Sequence, residues 1–197
     1  MIGKRTLATL GAIAVSTTTL CTALSAADNP PAAGFDTAGS DAAAIAFADR
    51  AMEAMGGRKA WDETRYLSWR FFVPQPGRTH VWDKWTGNLR YQNGTTLTLM
   101  NINTKEGSVW MDGQKVEDKA ELAKLLQQGY EAWVNDSYWL FMPYKLKDSG
   151  VTLKYKSEGT TDDGKPADIL QLTFKNVGVT PQNKYDVWVD KASGLVT

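Results

Sequence analysis

The sequence is poor in the residues that most often build catalytic and metal sites. It contains one histidine, His80, and one cysteine, Cys21. A catalytic metal site usually takes His, Cys or clustered carboxylates. A Ser-His-Asp triad would have to use His80, and no Gly-x-Ser-x-Gly motif supplies the serine. Phosphate-binding glycine loops are also missing. The sequence therefore predicts a protein that is not an enzyme and that uses no metal and no cofactor.

The few residues left for acid-base chemistry have plainer interpretations. His80 lies in the middle of a predicted strand, where a structural ring with satisfied nitrogens is expected. Two carboxylate pairs, Glu117-Asp118 and Asp162-Asp163, fall at predicted turns or helix starts, where solvated acids are common. A glycosidase built from two carboxylates far apart in the sequence is the hydrolytic alternative that the residues leave open.

Charge of one sign is not in excess either, since 22 basic residues balance 22 acidic ones. The sequence contains no basic stripe, so nucleic acid is not expected as a partner.

The N-terminal residues have the pattern of a secretory signal peptide. Lys4 and Arg5 precede an apolar run over residues 7–20, and small residues follow it. That run is too short to span a bilayer comfortably. We expect cleavage near Ala26 or Ala27, so that residues 1–27 are removed. The sequence thus predicts a periplasmic or secreted protein without a transmembrane segment after cleavage.

Cys21 falls within this predicted signal peptide. A lipoprotein signal would place a small residue directly before the cysteine, where this chain has Leu20, and usually a leucine three residues before it, where it has Thr18. Lipid anchoring at Cys21 is therefore not expected. The mature chain would contain no cysteine and no disulfide framework.

The remaining residues predict one domain of mixed secondary structure. Residues 28–40 are rich in Pro, Ala and Gly and predict a flexible lead. A helix over residues 41–55 is followed by short alternating strands with tight turns up to residue 111. Helical spacing returns from Asp118 to about Trp133, and a second set of strands begins at Val151. This order predicts an α+β fold in which helices lie on one face of a curved antiparallel sheet.

Residues 190–197 resemble a turn with a second strand just begun. We therefore expect that the domain, residues 41–197, is truncated at its C-terminus.

Aromatic side chains are abundant, with eight tryptophans that all follow position 60. The densest stretch, residues 135–146, joins the two sets of strands. Large amphipathic rings line cavities and interfaces, but they also fill ordinary cores. The predicted ligand-binding residues are Trp69, Phe71, Trp82, Tyr91, Leu99, Trp110, Trp133, Trp139, Phe141 and Met142. The alternative is a structural or interaction module of the cell envelope whose aromatic core is filled.

Several stretches resemble a family of secreted bacterial proteins related to the periplasmic lipoprotein-carrier superfamily, which is LolA/LolB-like. The similarity runs from about Ala43 to the last residue. The stretches are Gly56-Gly57 with Trp61, residues 135–146 (NDSYWLFMPYKL), residues 176–181 (NVGVTP), residues 185–190 (YDVWVD) and residues 194–196.

The resemblance implies an open, or half, β-barrel wrapped around helices, with a hydrophobic cavity for acyl chains. It implies as ligand an apolar small molecule, a lipid or a lipoprotein acyl chain, with a lipoprotein or outer-membrane protein as partner. The carriers control their lid with an arginine, for which Arg70, Arg78 and Arg90 are the candidates here.

Overall fold

The computed structural model describes residues 29–72, 77–178 and 182–197. The predicted signal peptide and Cys21 lie outside the described residues. The helices are α1 (Ala42–Ala54), α2 (Gly57–Glu63) and α3 (Lys119–Phe141), and α3 runs into a short 3-10 helix, Met142–Lys145. The strands are β1 (Tyr66–Phe71), β2 (Arg78–Asp83), β3 (Asn88–Asn93), β4 (Thr96–Asn101), β5 (Gly107–Met111), β6 (Gln114–Lys115), β7 (Val151–Thr160), β8 (Pro166–Phe174) and β9 (Lys184–Asp190).

The described strands form two antiparallel sheets. Sheet A contains β1 to β6 and sheet B contains β7 to β9, and in both sheets each strand pairs with the next one along the chain. The order follows from the short turns, because a chain that reverses within a few residues places consecutive strands side by side. The predicted α+β class with antiparallel strands is thereby confirmed. The prediction placed all strands in one curved sheet, whereas the helix α3 separates two sheets here.

One face of sheet A packs against α3. The pairing Trp69↔His80 and His80↔Tyr91 places these three side chains on that face, since directly paired residues of antiparallel strands point the same way. Leu89 and Met100 belong to the buried cluster on the same face. The helix contributes Leu126 to this cluster, with Leu122, Leu125, Tyr130 and Trp133 packed around it, as its 3.6-residue spacing predicted.

Gly129 lets α3 approach the sheet closely. A Cβ atom at this position would lie 3.3 Å from Thr98 Cγ2 and 3.5 Å from Tyr91 Cδ1. The helix continues through Gly129 although glycine has a low helix propensity, because packing on the sheet outweighs that cost. The α-helix ends at Phe141, just before Pro143, which has no backbone N–H to continue the helical hydrogen bonds and instead lies in the first turn of the 3-10 helix.

Sheet B packs against α1 and forms the second buried cluster. Ala44, Ala48 and Ala51 are fully or almost fully buried and meet Leu153 and Val187 of the sheet. The predicted helix is confirmed. Its spacing predicts a buried face of Ile45, Ala48, Met52 and Met55, of which Ala48 and Met52 are buried, whereas Ile45 and Met55 are half-buried and Ala44 and Ala51 take their places. Small side chains bring a helix close to a sheet, so the alanine stripe takes the contact.

The segment before α1 is packed, although its composition predicts a flexible lead. Phe35 is buried in the core of sheet B. The backbone N–H of Asp36 donates to the carbonyl of Val151 at 3.0 Å, and that of Ala32 donates to the carbonyl of Lys147 at 3.0 Å. The Lys147 ammonium bonds the carbonyl of Asn29 and the carboxylate of Asp49. One phenylalanine and a few backbone hydrogen bonds outweigh a loop-like composition.

Candidate functional site

A cleft of about 900 Å³ lies where α3 passes between the two sheets. We call it the α3 cleft. One end of sheet A reaches it, where β2 begins and β3 ends, and one end of sheet B reaches it, where β8 ends and β9 begins. Its lining includes Arg78, Tyr91, Tyr130, Trp133, Tyr138, Trp139, Phe174 and Tyr185. Hairpin register produces the arrangement, because Arg78 pairs with Asn93 and the ends of β8 and β9 are neighbours.

Aromatic rings form the wall on the side of sheet B. Tyr185 packs edge-on against Trp139 and Phe174, with ring centroids 5.3 and 5.7 Å apart. Tyr138 packs edge-on against Phe174 at 5.6 Å. Such offset and edge-on pairs are the favourable geometries for aromatic rings. Trp139 remains 54% exposed, so it lies at the mouth of the cleft.

The hydroxyl of Tyr138 is buried and has no hydrogen-bond partner among the described residues. Burial raises the pKa of this phenol, and the charge on Asp148 adds to the effect. A buried donor without a partner loses its hydration and gains nothing in return. The cleft wall therefore contains a neutral donor whose bonding capacity is unused.

A buried ion pair joins α3 to the start of β2. Arg78 donates from Nε and Nη2 to the two carboxylate oxygens of Asp136, at 2.5 and 2.6 Å. The Asp136 side chain is fully buried, and 17% of the Arg78 side chain is exposed. His80 Nε2 lies 2.8 Å from Asp136 Oδ2, and Asn135 Nδ2 donates to Oδ1 at 3.0 Å.

The pKa of the Asp136 carboxyl reflects two opposing effects. Burial raises it, whereas hydrogen bonds from Arg78, His80 and Asn135 lower it and prevail. The pKa accordingly falls from 3.8 to about 2. Asp136 is therefore a carboxylate at neutral pH, and its charge is compensated by Arg78.

His80 lies between two rings beneath α3. Its ring stacks on Trp69 with centroids 4.6 Å apart and lies 5.0 Å from Tyr91. Nδ1 has no partner among the described residues, so the ring is satisfied at Nε2 only. The prediction that both ring nitrogens of His80 have hydrogen-bond partners is therefore correct for Nε2 and wrong for Nδ1 among the described residues. His80 is fully buried and contacts rings and a carboxylate, which gives it a structural role next to the cleft.

The structure brings three of the ten predicted binding residues to the α3 cleft, namely Tyr91, Trp133 and Trp139. Four others pack beside it in ring contacts. Trp82 meets Trp133 edge-on at 5.1 Å, Phe141 meets Trp69 edge-on at 5.3 Å, and the guanidinium of Arg78 lies over the ring of Phe71 at 5.3 Å.

The other three predicted residues lie elsewhere. Met142 packs against the core of sheet B. Leu99 and Trp110 are on the opposite face of sheet A, because their pairing partners Arg90 and Leu97 alternate with the buried residues Tyr91 and Thr98. The prediction selected apolar residues in each strand without fixing the register between strands, and a shift of one residue moves a side chain to the other face.

Sequence reasoning missed most of the wall on the side of sheet B and the buried ion pair. The sequence predicts strands over the regions of Phe174 and Tyr185, but nothing in their pattern marks these two rings as part of a site. Tyr138 and Asp136 belong to the aromatic stretch, but Asp136 was not singled out. A lone acid among apolar residues on a helix is an available signal, because a buried carboxylate requires a cationic partner.

The described residues contain no group of three or more His, Cys, Asp or Glu arranged to hold a metal ion. Within the same residues, no helix combines the length and the apolar character needed to cross a membrane. In comparisons with protein-family models, curated proteins and solved structures, the chain matches none of them.

Proposed function

We propose that this chain is an exported protein of the cell envelope that binds or carries an apolar ligand, a lipid or a lipoprotein acyl chain, in the α3 cleft. The observation that carries the proposal is the cleft itself, whose volume of about 900 Å³ and aromatic walls are typical of ligand sites. The signal-like residues 1–27 support export.

The proposal includes a relationship to the lipoprotein carriers. Sheet A packs on α3, and rings near the C-terminal end of α3 contact Phe174 and Tyr185 of sheet B, an arrangement compatible with a half-barrel around a helical plug. Of the three candidate lid arginines, Arg78 bonds a residue of α3, namely Asp136. We therefore assign to Arg78 the role that the resemblance implies, and to a lipoprotein or an outer-membrane protein the role of partner.

Binding of a neutral apolar dye tests the proposal. N-phenyl-1-naphthylamine should become fluorescent when it enters the cleft of the mature protein, and a long-chain lipid should displace it. Native mass spectrometry of protein purified from the periplasm should show a co-purified lipid. If the protein neither binds the dye nor retains a lipid, the proposal is overturned.

A matched pair of variants locates the binding site. Tyr185→Ala removes a ring from the cleft wall and should weaken dye binding several-fold. Trp110→Ala removes a ring from the opposite face of sheet A and should leave dye binding unchanged. Equal effects of the two substitutions would show that the dye binds elsewhere.

A second function is favoured by one observation, the dense ring packing beneath α3. Trp69, Trp82 and Phe141 contact other rings instead of lining the cleft, as they would in a non-enzymatic structural or interaction module with a filled aromatic core. In that case the protein would bind neither dye nor lipid, while its folding and stability would be normal.

A further inference from the structure

We infer that the α3 cleft selects uncharged amphiphiles over anionic ones with the same chain, and that Asp136 is the specificity-determining residue. The inference rests on the proposed function and deepens it by naming the ligand class.

The cleft contains a guanidinium that is already engaged. A free arginine in an apolar pocket would bind a ligand carboxylate with two parallel hydrogen bonds. Here Arg78 directs Nε and Nη2 at Asp136, at 2.5 and 2.6 Å. An anionic ligand would have to displace a fully buried carboxylate from α3, or share the guanidinium with it.

The charges along the wall offer no substitute for Arg78. Among the residues lining the cleft, the charged ones are two cations, Arg78 and Lys145, and two anions, Glu131 and Asp148. Lys145 is paired with Asp148 at 2.7 Å. Glu131 accepts a hydrogen bond from the Gln127 amide at 2.8 Å, which leaves its charge in place.

Asp136 shifts this balance to the negative side. It neutralises Arg78 through their ion pair, and Lys145 is paired with Asp148, so Glu131 is the charged group of the wall that is left without a salt bridge among the described residues. Bringing a negatively charged headgroup next to a carboxylate in a partly desolvated site is unfavourable, whereas an uncharged headgroup meets no such repulsion.

Neutral polar groups remain available to a ligand. The amides of Asn93 and Gln128 line the cleft, and the Tyr138 hydroxyl has no partner among the described residues. Neutral donors suit the oxygen of an alcohol or an ester. The ligand class is therefore an uncharged amphiphile such as a long-chain alcohol or an acyl ester, rather than a free fatty acid.

Three probes with the same twelve-carbon chain test the inference. Dodecanol, dodecanoate and dodecylammonium would displace N-phenyl-1-naphthylamine from the mature protein at about pH 8, where a carboxylic acid is ionised and an alkylamine is protonated. We expect dodecanol to bind at least about tenfold more tightly than dodecanoate. Dodecanoate and dodecylammonium are both strongly hydrated, so comparing these two ions largely removes the cost of desolvating a charged headgroup. In this comparison dodecylammonium should bind more tightly than dodecanoate.

The variant Asp136→Asn should reverse the order of the two ions. It removes the buried negative charge and leaves Arg78 able to bind a carboxylate, so dodecanoate should gain affinity by about tenfold or more. Asp112→Asn is the matched control, because Asp112 is exposed on a turn outside the cleft and has a φ of 50°, which asparagine also tolerates. This control should keep the order of the parent protein.

The outcomes separate the inference from the proposed function. If the parent protein binds dodecanoate as tightly as dodecanol or dodecylammonium, the inference is overturned while ligand binding stands. If the protein binds neither the dye nor any of the three probes, the proposed function is overturned together with the inference. If Asp136→Asn does not fold, the order in which the three probes bind the parent protein still tests whether the cleft prefers uncharged ligands.

Discussion

The ion pair between Arg78 and Asp136 leads to a stability prediction that the structure makes quantitative. Asp136 is fully buried and accepts hydrogen bonds from two nitrogens of Arg78, from Asn135 and, at 2.8 Å, from His80. In Asp136→Ala the guanidinium of Arg78, which is only 17% exposed, loses its counter-charge. Removing one partner of a buried pair lowers the free energy of unfolding by about 3–5 kcal/mol.

Removing both partners should be less harmful than the sum of the single substitutions. Arg78→Met and Asp136→Leu together place two apolar side chains at the contact between β2 and α3, and no buried charge is left unpaired. Replacing a buried pair with apolar residues is often close to neutral. We expect a coupling energy of at least about 2 kcal/mol in this double-mutant cycle.

Urea denaturation followed by tryptophan fluorescence measures the parent protein, Asp136→Ala, the single substitutions Arg78→Met and Asp136→Leu, and their combination. The control is Asp186→Ala, which breaks the partly exposed pair of Asp186 with Lys156. Exposed pairs contribute about 0–1 kcal/mol, so this variant should remain close to the parent protein. If Asp136→Ala loses less than about 1 kcal/mol and the cycle is additive, then the pair is not the buried link between β2 and α3 described above.

Three further predictions concern pH, the cleft mouth and the helix contact. Because the pKa of Asp136 is lowered from 3.8 to about 2, its stabilising effect is present above about pH 4 and is lost as the pH falls to 2. The stability difference between the parent protein and Asp136→Asn should therefore shrink by about 2 kcal/mol over that range in urea titrations, and a constant difference would contradict the assignment. Trp139→Ala should lower the free energy of unfolding by only about 1 kcal/mol, since 54% of Trp139 is already exposed, and a loss above about 3 kcal/mol in denaturation would place it in the core. Gly129→Val should lower the unfolding free energy by about 2 kcal/mol because its side chain meets Thr98 and Tyr91, whereas Gly129→Ala should be nearly neutral; equal stability of the two in thermal melts would refute the close contact.

The sequence patterns predicted α1 and most of the strands, because local signals set them, but they missed α2 and β6 and ended the helix α3 near Trp133 rather than at Phe141. The glycines after Met55, the period-two residues of β1 and the turn at Asn93-Gly94 each act within a few positions. The end of α3 just before Pro143 is a local effect as well, because proline has no backbone N–H to donate.

The features that the patterns missed are contacts between residues that lie far apart in the sequence. The side of a strand that faces α3 is fixed by the register of its neighbours, so Trp110 was assigned to the wrong face. The partnership of Arg78 with Asp136 spans 58 residues. The wall formed by Phe174 and Tyr185 requires sheet B to lie beside α3. None of these relationships leaves a periodic signal in one sequence.

The alanine stripe of α1 also has a consequence for the order of folding. Ala44, Ala48 and Ala51 find their contacts in sheet B, whose strands begin at Val151. Each strand of sheet A pairs with its immediate neighbour in the chain, so that sheet closes through short loops and should form rapidly. A chain that emerges N-terminus first presents α1 long before its binding surface exists. We therefore expect α1 to dock after sheet B has formed, so that its alanine stripe stays exposed through the early stages of folding.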